Sequence, residues 1–297
     1  MSLTLTPANL SSWLEDGFLL IRGFLAPSEV FDVQRWASDI EAWPQPSPPL
    51  TCHTLAHEIV DGELRVCRVE NFTPTHGGLA GIAERLAGAA AELLEASAAA
   101  SAGGGHGVAP APARLFKEKL NIKPPGGRGY GAHYDGPSAA SVGLATRFVT
   151  AQVAVDAQTV LNGCLQLCSP RAAWPCVRTV VEPTSDDPDR GGRIGAIPDD
   201  VSDALEWTPI ECEPGDILFF DHWTPHWSSP NRDTTPRRTL YMLFTSAAEG
   251  DFMRDYYARM HDARVAWAEK KRASAPPNEA GAEAEEDAGY EGAPHTG

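Results

Sequence analysis

Residues 133–135 read His-Tyr-Asp within GYGAHYDGP (129–137), a stretch too rich in glycine to favour a helix. On extended backbone, residues i and i+2 share a face, so His133 and Asp135 would present an imidazole and a carboxylate to one point. A third donor, His226, follows far downstream in PGDILFFDHWTPHWSSPN (214–231). Two imidazoles and one carboxylate on one face of an octahedron leave three positions open for a co-substrate and O₂. That is the donor set of non-haem iron(II) oxygenases. Taken alone the pattern is weak, because the chain has nine histidines and an HxD followed by a later His arises readily by chance. His222 and His226 are also four apart, the spacing of a zinc-binding pair on a helix. Pro225 and the apolar run before it oppose a helix there, and Trp223 stands where the HExxH motif requires Glu. His222 therefore reads as a residue of the rim or of the surroundings of the ligands.

Arg237 lies eleven residues after His226 at the start of a new apolar run. A guanidinium fork in that place is suited to the distal carboxylate of 2-oxoglutarate, and Ser228 is near enough in sequence to add a hydroxyl. The reading leaves Arg238 open as the inward-facing member of the pair, and either arginine open as a surface cation.

Elements must bring these groups together. DGFLLIRGFL (16–25) reads as a strand. In APSEVFDVQRWASDIEAW (26–43), Ser28 is placed to cap a helix whose apolar stripe is Val30, Val33, Trp36 and Ile40. A second helix is expected over 77–100, followed by a Gly/Ala/Pro-rich surface loop, SAGGGHGVAPAPA (101–113). Beyond it the texture changes to short runs broken by Gly, Pro and Asn: ARLFKEKLNIKPPGG, RFVTAQVAVD, GCLQLCSP, PGDILFFDHW and RRTLYMLFTSA. These predict an antiparallel sandwich or barrel, mainly β with flanking helices. A jelly-roll barrel of the double-stranded β-helix, cupin-like kind would let inward residues of neighbouring strands meet at its mouth. A polar helix is expected over 251–272. Residues 1–272 read as a single domain, and 273–297 as a disordered acidic tail.

Composition narrows the function. The 297 residues are 42% hydrophobic and 22% charged, as in ordinary globular proteins. A net charge of −16 disfavours a nucleic-acid partner, which needs clustered Lys and Arg. The six cysteines form no CxxC pair and read as reduced thiols. No signal peptide and no run of ~18 apolar residues is present, so a cytoplasmic protein with no membrane partner is expected.

The order DGFLLIRGFL, KEKLNIKPPGG, HYD, NGCLQL, PGDILFFDHWTPHWSSPN and PRRTLY resembles the phytanoyl-CoA dioxygenase family of Fe(II)/2-oxoglutarate oxygenases over roughly residues 14 to 260. LFKEKLNIKPPGG and LFFDHWTPHWSSPN are most similar to its 2-aminoethylphosphonate dioxygenase-like members. Those read HQDA where this chain has HYDG, and they lack the GGGHGVAPAPA insert. The resemblance implies three cofactors or co-substrates: Fe(II), 2-oxoglutarate and O₂. It makes His133, Asp135 and His226 the catalytic iron ligands, and Arg237 with Ser228 the anchor of the C5 carboxylate. Similarity to ectoine hydroxylase adds Asn121 and Thr150 to the co-substrate site. It implies hydroxylation of a small polar, anionic metabolite such as a phosphonate or carboxylate, with release of succinate and CO₂. Desaturation, cyclisation or oxidative group removal are alternative outcomes of the same chemistry, and a non-catalytic jelly-roll binding protein is the rival of another class. If Asn121 faces the co-substrate, strand alternation turns Lys117 and Lys119 the same way, towards an anionic substrate, with Tyr134 and Trp223 as walls. Substrate identity and oligomeric state stay open.

Overall fold

The computed structural model of the chain describes residues 3–44, 53–101, 110–141, 147–175, 195–259 and 261–262. In chain order its strands are β1 (Phe18–Ile21), β2 (Thr54–Val60), β3 (Glu63–Glu70), β4 (Ala113–Lys123), β5 (Tyr130–His133) and β6 (Val149–Ala154). They continue with β7 (Leu165–Cys168), β8 (Trp207–Pro209), β9 (Ile217–Asp221), β10 (His226–Ser228) and β11 (Arg237–Ser246). All pairings are antiparallel. One sheet runs β1-β9-β6-β11-β4-β3-β2 and the other β5-β10-β7-β8. Two such antiparallel sheets make the expected jelly roll.

Alternation in the long strands explains the layering. In β4 the apolar Leu120 and Ile122 face outward, together with Leu240 and Met242 of β11, Ala151 and Val153 of β6, and Ile217 and Phe219 of β9. Against this apolar side pack α1 (Pro7–Asp16), α2 (Pro27–Glu41) and α3 (Gly77–Ser101), the last contributing Leu79, Ile82, Leu86 and Leu93. The intervening residues look into the barrel. Asn121 pairs with Arg68 on one side and Thr239 on the other, and Lys119 pairs with Glu70 and Tyr241. One face of β4 thus drives folding by burying apolar surface, while the other carries polar groups.

Several expectations change in detail. Residues 16–25 form a strand only over β1, because Gly17 ends α1 in the left-handed region (φ 82°) and Gly23 turns the chain (φ 60°). Ser28 does not cap α2. The cap position is Ala26, whose N–H donates to Glu29 Oε2 at 2.8 Å, since Pro27 presets the first helical turn one residue earlier. The β2–β3 hairpin was not anticipated. Its turn is Asp61-Gly62, both with positive φ (53° and 79°), the turn chemistry that an Asp-Gly pair favours. The expected polar helix is present over 253–259. Residues 102–109 of the Gly/Ala/Pro loop, 263–272 of that helix and the 273–297 tail lie outside the described residues.

Candidate metal centre

His133 ends β5 and His226 begins β10, and the two are directly opposite each other across the antiparallel ladder. Their rings sit 4.0 Å apart centre to centre. Asp135 follows His133 where the chain turns out of the strand. This turn is held by Tyr134 N–H donating to Gly195 O (2.9 Å) and Gly136 N–H donating to His222 O (2.8 Å). All three side chains are buried. His133 Nδ1 lies 2.7 Å from Gly131 O, and His226 Nδ1 lies 2.9 Å from Thr224 O. A carbonyl can only accept, so each Nδ1 carries the proton and each Nε2 keeps a lone pair for a metal. Asp135 Oδ1 is 3.7 Å from His133 Nε2 and 3.8 Å from His226 Nε2. These separations exceed a hydrogen bond but fit two donors on one ion, which at bonds of about 2.1 Å lie at most about 4.2 Å apart. The three residues each offer a ligand atom within 4.8 Å of the others, and no other such group occurs among the described residues.

Beside this centre are buried polar atoms that lack partners. Arg237 is 1% exposed, and neither its Nε nor its Nη1 has a hydrogen-bond partner; the same holds for Asn121 Oδ1 and Thr150 Oγ1. Leaving such groups unmet costs about 1–3 kcal/mol each, more for a charged one, so the arrangement is suited to a polar, anionic ligand. Ser228 Oγ accepts from Lys123 Nζ at 2.9 Å, and the same Nζ donates to Ser229 O at 2.6 Å. Lys123 and Arg237 are opposite each other in the ladder. Burial, reinforced by the Arg237 charge, pushes the Lys123 ammonium down to about 6. Gly163 of the NGC motif permits this packing. At its φ of +74° an added Cβ would meet Ser229 O at 2.2 Å.

The choice between the arginines is made by alternation. Arg238 points to the helical side, where Nε and Nη2 fork onto Asp156 at 2.8 and 2.9 Å and Nη1 reaches Ser38 Oγ at 2.7 Å. Arg237 shares the inner face with Tyr241 and Leu243, which line the cavity at the three donors.

That cavity is also lined by Asn121, Thr150, Ser228 and Lys119. Among the anticipated substrate-side residues it therefore gathers Lys119, whose Nζ lies 5.0 Å from the centre of the Tyr241 ring. Lys117 shares the inner face but is buried deeper, with Nζ 5.1 Å from the Tyr256 ring centre. Tyr134 is buried edge-on against Trp223, with ring centres 5.6 Å apart. Trp223 lines a neighbouring cavity with His222, Arg147 and Arg171. His222 stands beside Asp221, Nδ1 to Oδ1 3.2 Å, and is not one of the three donors. Burial opposes the charge on Asp221, but His222, Arg171 and the Trp223 N–H overcome it and hold the carboxyl down at about 2. Sequence reasoning missed Arg68, Tyr130 and Tyr241 in the lining and Lys123 beside it. The Asp-Gly turn between two alternating runs, TLAHEIV and ELRVCRVE, was the signal that could have placed Arg68 on a strand.

The family profile described as Phytanoyl-CoA dioxygenase (PhyH) matches residues 13–239. A methylphosphonate hydroxylase of Gimesia maris is 33% identical over 262 residues, 87% of each chain. A 2-aminoethylphosphonate dioxygenase of an uncultured bacterium is 29% identical over 254 residues, 85% of this chain and 86% of the relative. EctD of S. alaskensis, solved with 2-oxoglutarate and 5-hydroxyectoine, superposes with a TM-score of 0.60 at 17% identity, covering 82% of this chain and 77% of that one. The epimerase SnoN, solved with Fe³⁺, alpha ketoglutarate and nogalamycin RO, gives 0.57 at 18%, covering 81% and 83%.

Proposed function

The chain belongs to the phytanoyl-CoA dioxygenase family, and from that premise we propose that it is an Fe(II)- and 2-oxoglutarate-dependent dioxygenase hydroxylating a small anionic metabolite, a phosphonate. The observation that carries this reading is the convergence of His133, Asp135 and His226 at the barrel mouth, with both Nε2 atoms facing Asp135 Oδ1. The relatives named for action on methylphosphonate and 2-aminoethylphosphonate support the substrate class.

His133, Asp135 and His226 would hold the iron, and Arg237 with Ser228 would hold the distal carboxylate of 2-oxoglutarate, Asn121 and Thr150 adding polar contacts. When bound, Fe(II) and 2-oxoglutarate supply the means of turning O₂ into an oxidant for a C–H bond, with succinate and CO₂ released. The chain's part is positional. Gly131 O and Thr224 O keep each imidazole in the tautomer that binds metal, and alternation along β11 aims Arg237 inward. The apolar Leu165, Phe220 and Leu243 wall the cavity and limit water at the reacting centre. Lys119 supplies positive charge for an anionic substrate. Residues 1–272 are read as one catalytic domain, in keeping with β1 and β11 sharing a sheet. A cytoplasmic location fits the buried free thiols Cys67, Cys164, Cys168 and Cys212. No described helix is long and apolar enough to cross a membrane.

The test is succinate formation from 2-oxoglutarate with added Fe(II), with and without methylphosphonate or 2-aminoethylphosphonate. Stimulation by a phosphonate, about one iron bound per chain, and loss of both turnover and iron in His226→Ala are expected. Full activity in His226→Ala or in metal-free protein would overturn the iron assignment. Product analysis separates hydroxylation from desaturation, cyclisation or group removal.

A further inference from the structure

Arg68 was invisible to motif reading, yet it lines the same cavity as the three donors. It sits on β3 directly opposite Asn121, one inward-facing position from Glu70, which is opposite Lys119. The residue is 5% exposed. Burial works against its charge, but Glu70, with its Oε1 3.3 Å from Arg68 Nε, more than compensates, and the guanidinium stays cationic at any working pH. Two cations, Arg68 and Lys119, therefore line the cavity with one carboxylate, Asp135, which a metal would occupy, while Glu70, outside the lining, offsets part of their charge. Arg237 is separate from this pair. On β11 it lies across β4 from Arg68 and opposite Lys123, four residues along β4 from Lys119, where its Nε and Nη1 without hydrogen bonds are suited to the co-substrate.

A planar guanidinium matches the oxygen spacing of a phosphonate or carboxylate bidentately, whereas an ammonium acts as a point charge. Arg68 Nε makes no hydrogen bond, but the guanidinium is buried and drawn to Glu70 by charge at 3.3 Å, so it has few other orientations before ligand arrives and little entropy is lost in binding. We infer that Arg68 is the specificity-determining residue of the substrate site, gripping the anionic head group while Lys119 supplies the second positive charge. The pair favours a doubly charged tetrahedral head over a singly charged one. The inference rests on the reading of this cavity as the substrate site of a dioxygenase acting on a small anion.

The experiment measures calorimetric binding of methylphosphonate, of methanesulfonate as its singly charged analogue, and of 2-oxoglutarate, all under anaerobic conditions with Fe(II). Because Arg68→Met alone would strand Glu70, the main variant is Arg68→Met/Glu70→Gln, with Arg68→Lys as a second. Native protein should bind methylphosphonate at least tenfold more tightly than methanesulfonate. The double variant should lose at least tenfold for methylphosphonate and less than twofold for 2-oxoglutarate, and Arg68→Lys should fall between, because it keeps the charge without the fork. A structural role alone would weaken both ligands and the thermal midpoint together, and that result overturns the inference. Unchanged methylphosphonate affinity in both variants also overturns it while leaving the dioxygenase reading intact. Native protein that turns over 2-oxoglutarate but binds no phosphonate overturns the anionic-substrate reading and this role with it. If the double variant fails to fold, equal methylphosphonate affinity in Arg68→Lys and native protein counts against the fork.

Discussion

Arg237 and Arg238 are adjacent, equally charged and chemically identical, yet one is an orphaned guanidinium inside the barrel and the other is forked onto Asp156 beneath α2. Their consequences should separate cleanly. Removing a charge-assisted hydrogen bond costs roughly 1.5–3 kcal/mol, so Arg237→Ala should raise the apparent 2-oxoglutarate requirement at least about tenfold. Its effect on stability should be small or favourable, because it removes a buried, unpaired charge. Arg238→Ala should do the reverse: a lower unfolding midpoint in urea, from loss of the Asp156 and Ser38 contacts, with the 2-oxoglutarate requirement nearly unchanged. Steady-state assays and urea titrations of both variants check this. A co-substrate defect confined to Arg238→Ala would reverse the assignment.

At the scale of the element, β4 joins the two halves of the molecule. Its inner face carries Lys119 and Asn121 to the cavity, and its outer face carries Leu120 and Ile122 to the helices. Glu118, also turned away from the cavity, is completely buried, and its charge is disfavoured by that burial. It is met by Thr73, whose N–H and Oγ1 both donate to Oε1 at 3.0 Å, and by the hydroxyl of Tyr257 in the 253–259 helix, 3.0 Å from Oε2 and 2.8 Å from Glu118 O. This contact ties the helix after β11 to the strand that positions the site. Tyr257→Phe leaves part of that network unmet and should destabilise the protein by about 1–3 kcal/mol, read by chemical denaturation, with iron binding retained. A variant with unchanged stability would mean that the helix is held by its aromatic packing alone.

For the whole molecule, acid is the condition that tests how the inner architecture is held. Asp221, at the end of β9, joins the strand to Arg171 (3.4 Å), in the single helical turn Arg171–Ala173, and to His222, and its carboxyl is held at about 2 instead of 3.8. A carboxyl whose folded value is depressed contributes stability that is present above the unfolded value and lost as pH falls through the folded one. The contribution is about 2 kcal/mol, complete above about pH 4 and gone near pH 2. This contribution to the unfolding free energy should be level from pH 6 to about pH 4 and fall between pH 4 and pH 2, and Asp221→Asn should flatten that fall. An Asp221→Asn protein with the same acid dependence as the native chain would place the loss elsewhere, for instance at Asp216, which Gly23 N–H and Arg22 also hold below the usual carboxylate range.

Residue type and short-range periodicity determined much of this protein. HYD, the distal His226, the run of apolar and polar alternation in KEKLNIK, and the turn before β9 are local features, and each survives in the fold because period-two side chains must face opposite sides of a strand. They sufficed for the barrel class, the three donors and the polar face bearing Asn121 and Lys119. Tertiary structure alone decided what depends on contacts between distant segments. His226 meets His133 because β10 pairs with β5, Arg68 enters the cavity because β3 pairs with β4, and Trp223 and Lys117 lie apart from it despite their nearness in sequence to its residues. The physical reason is that spacing along a strand sets which side of a sheet a group occupies, whereas the partner strand and its register, set by burial over the whole core, determine which groups meet there.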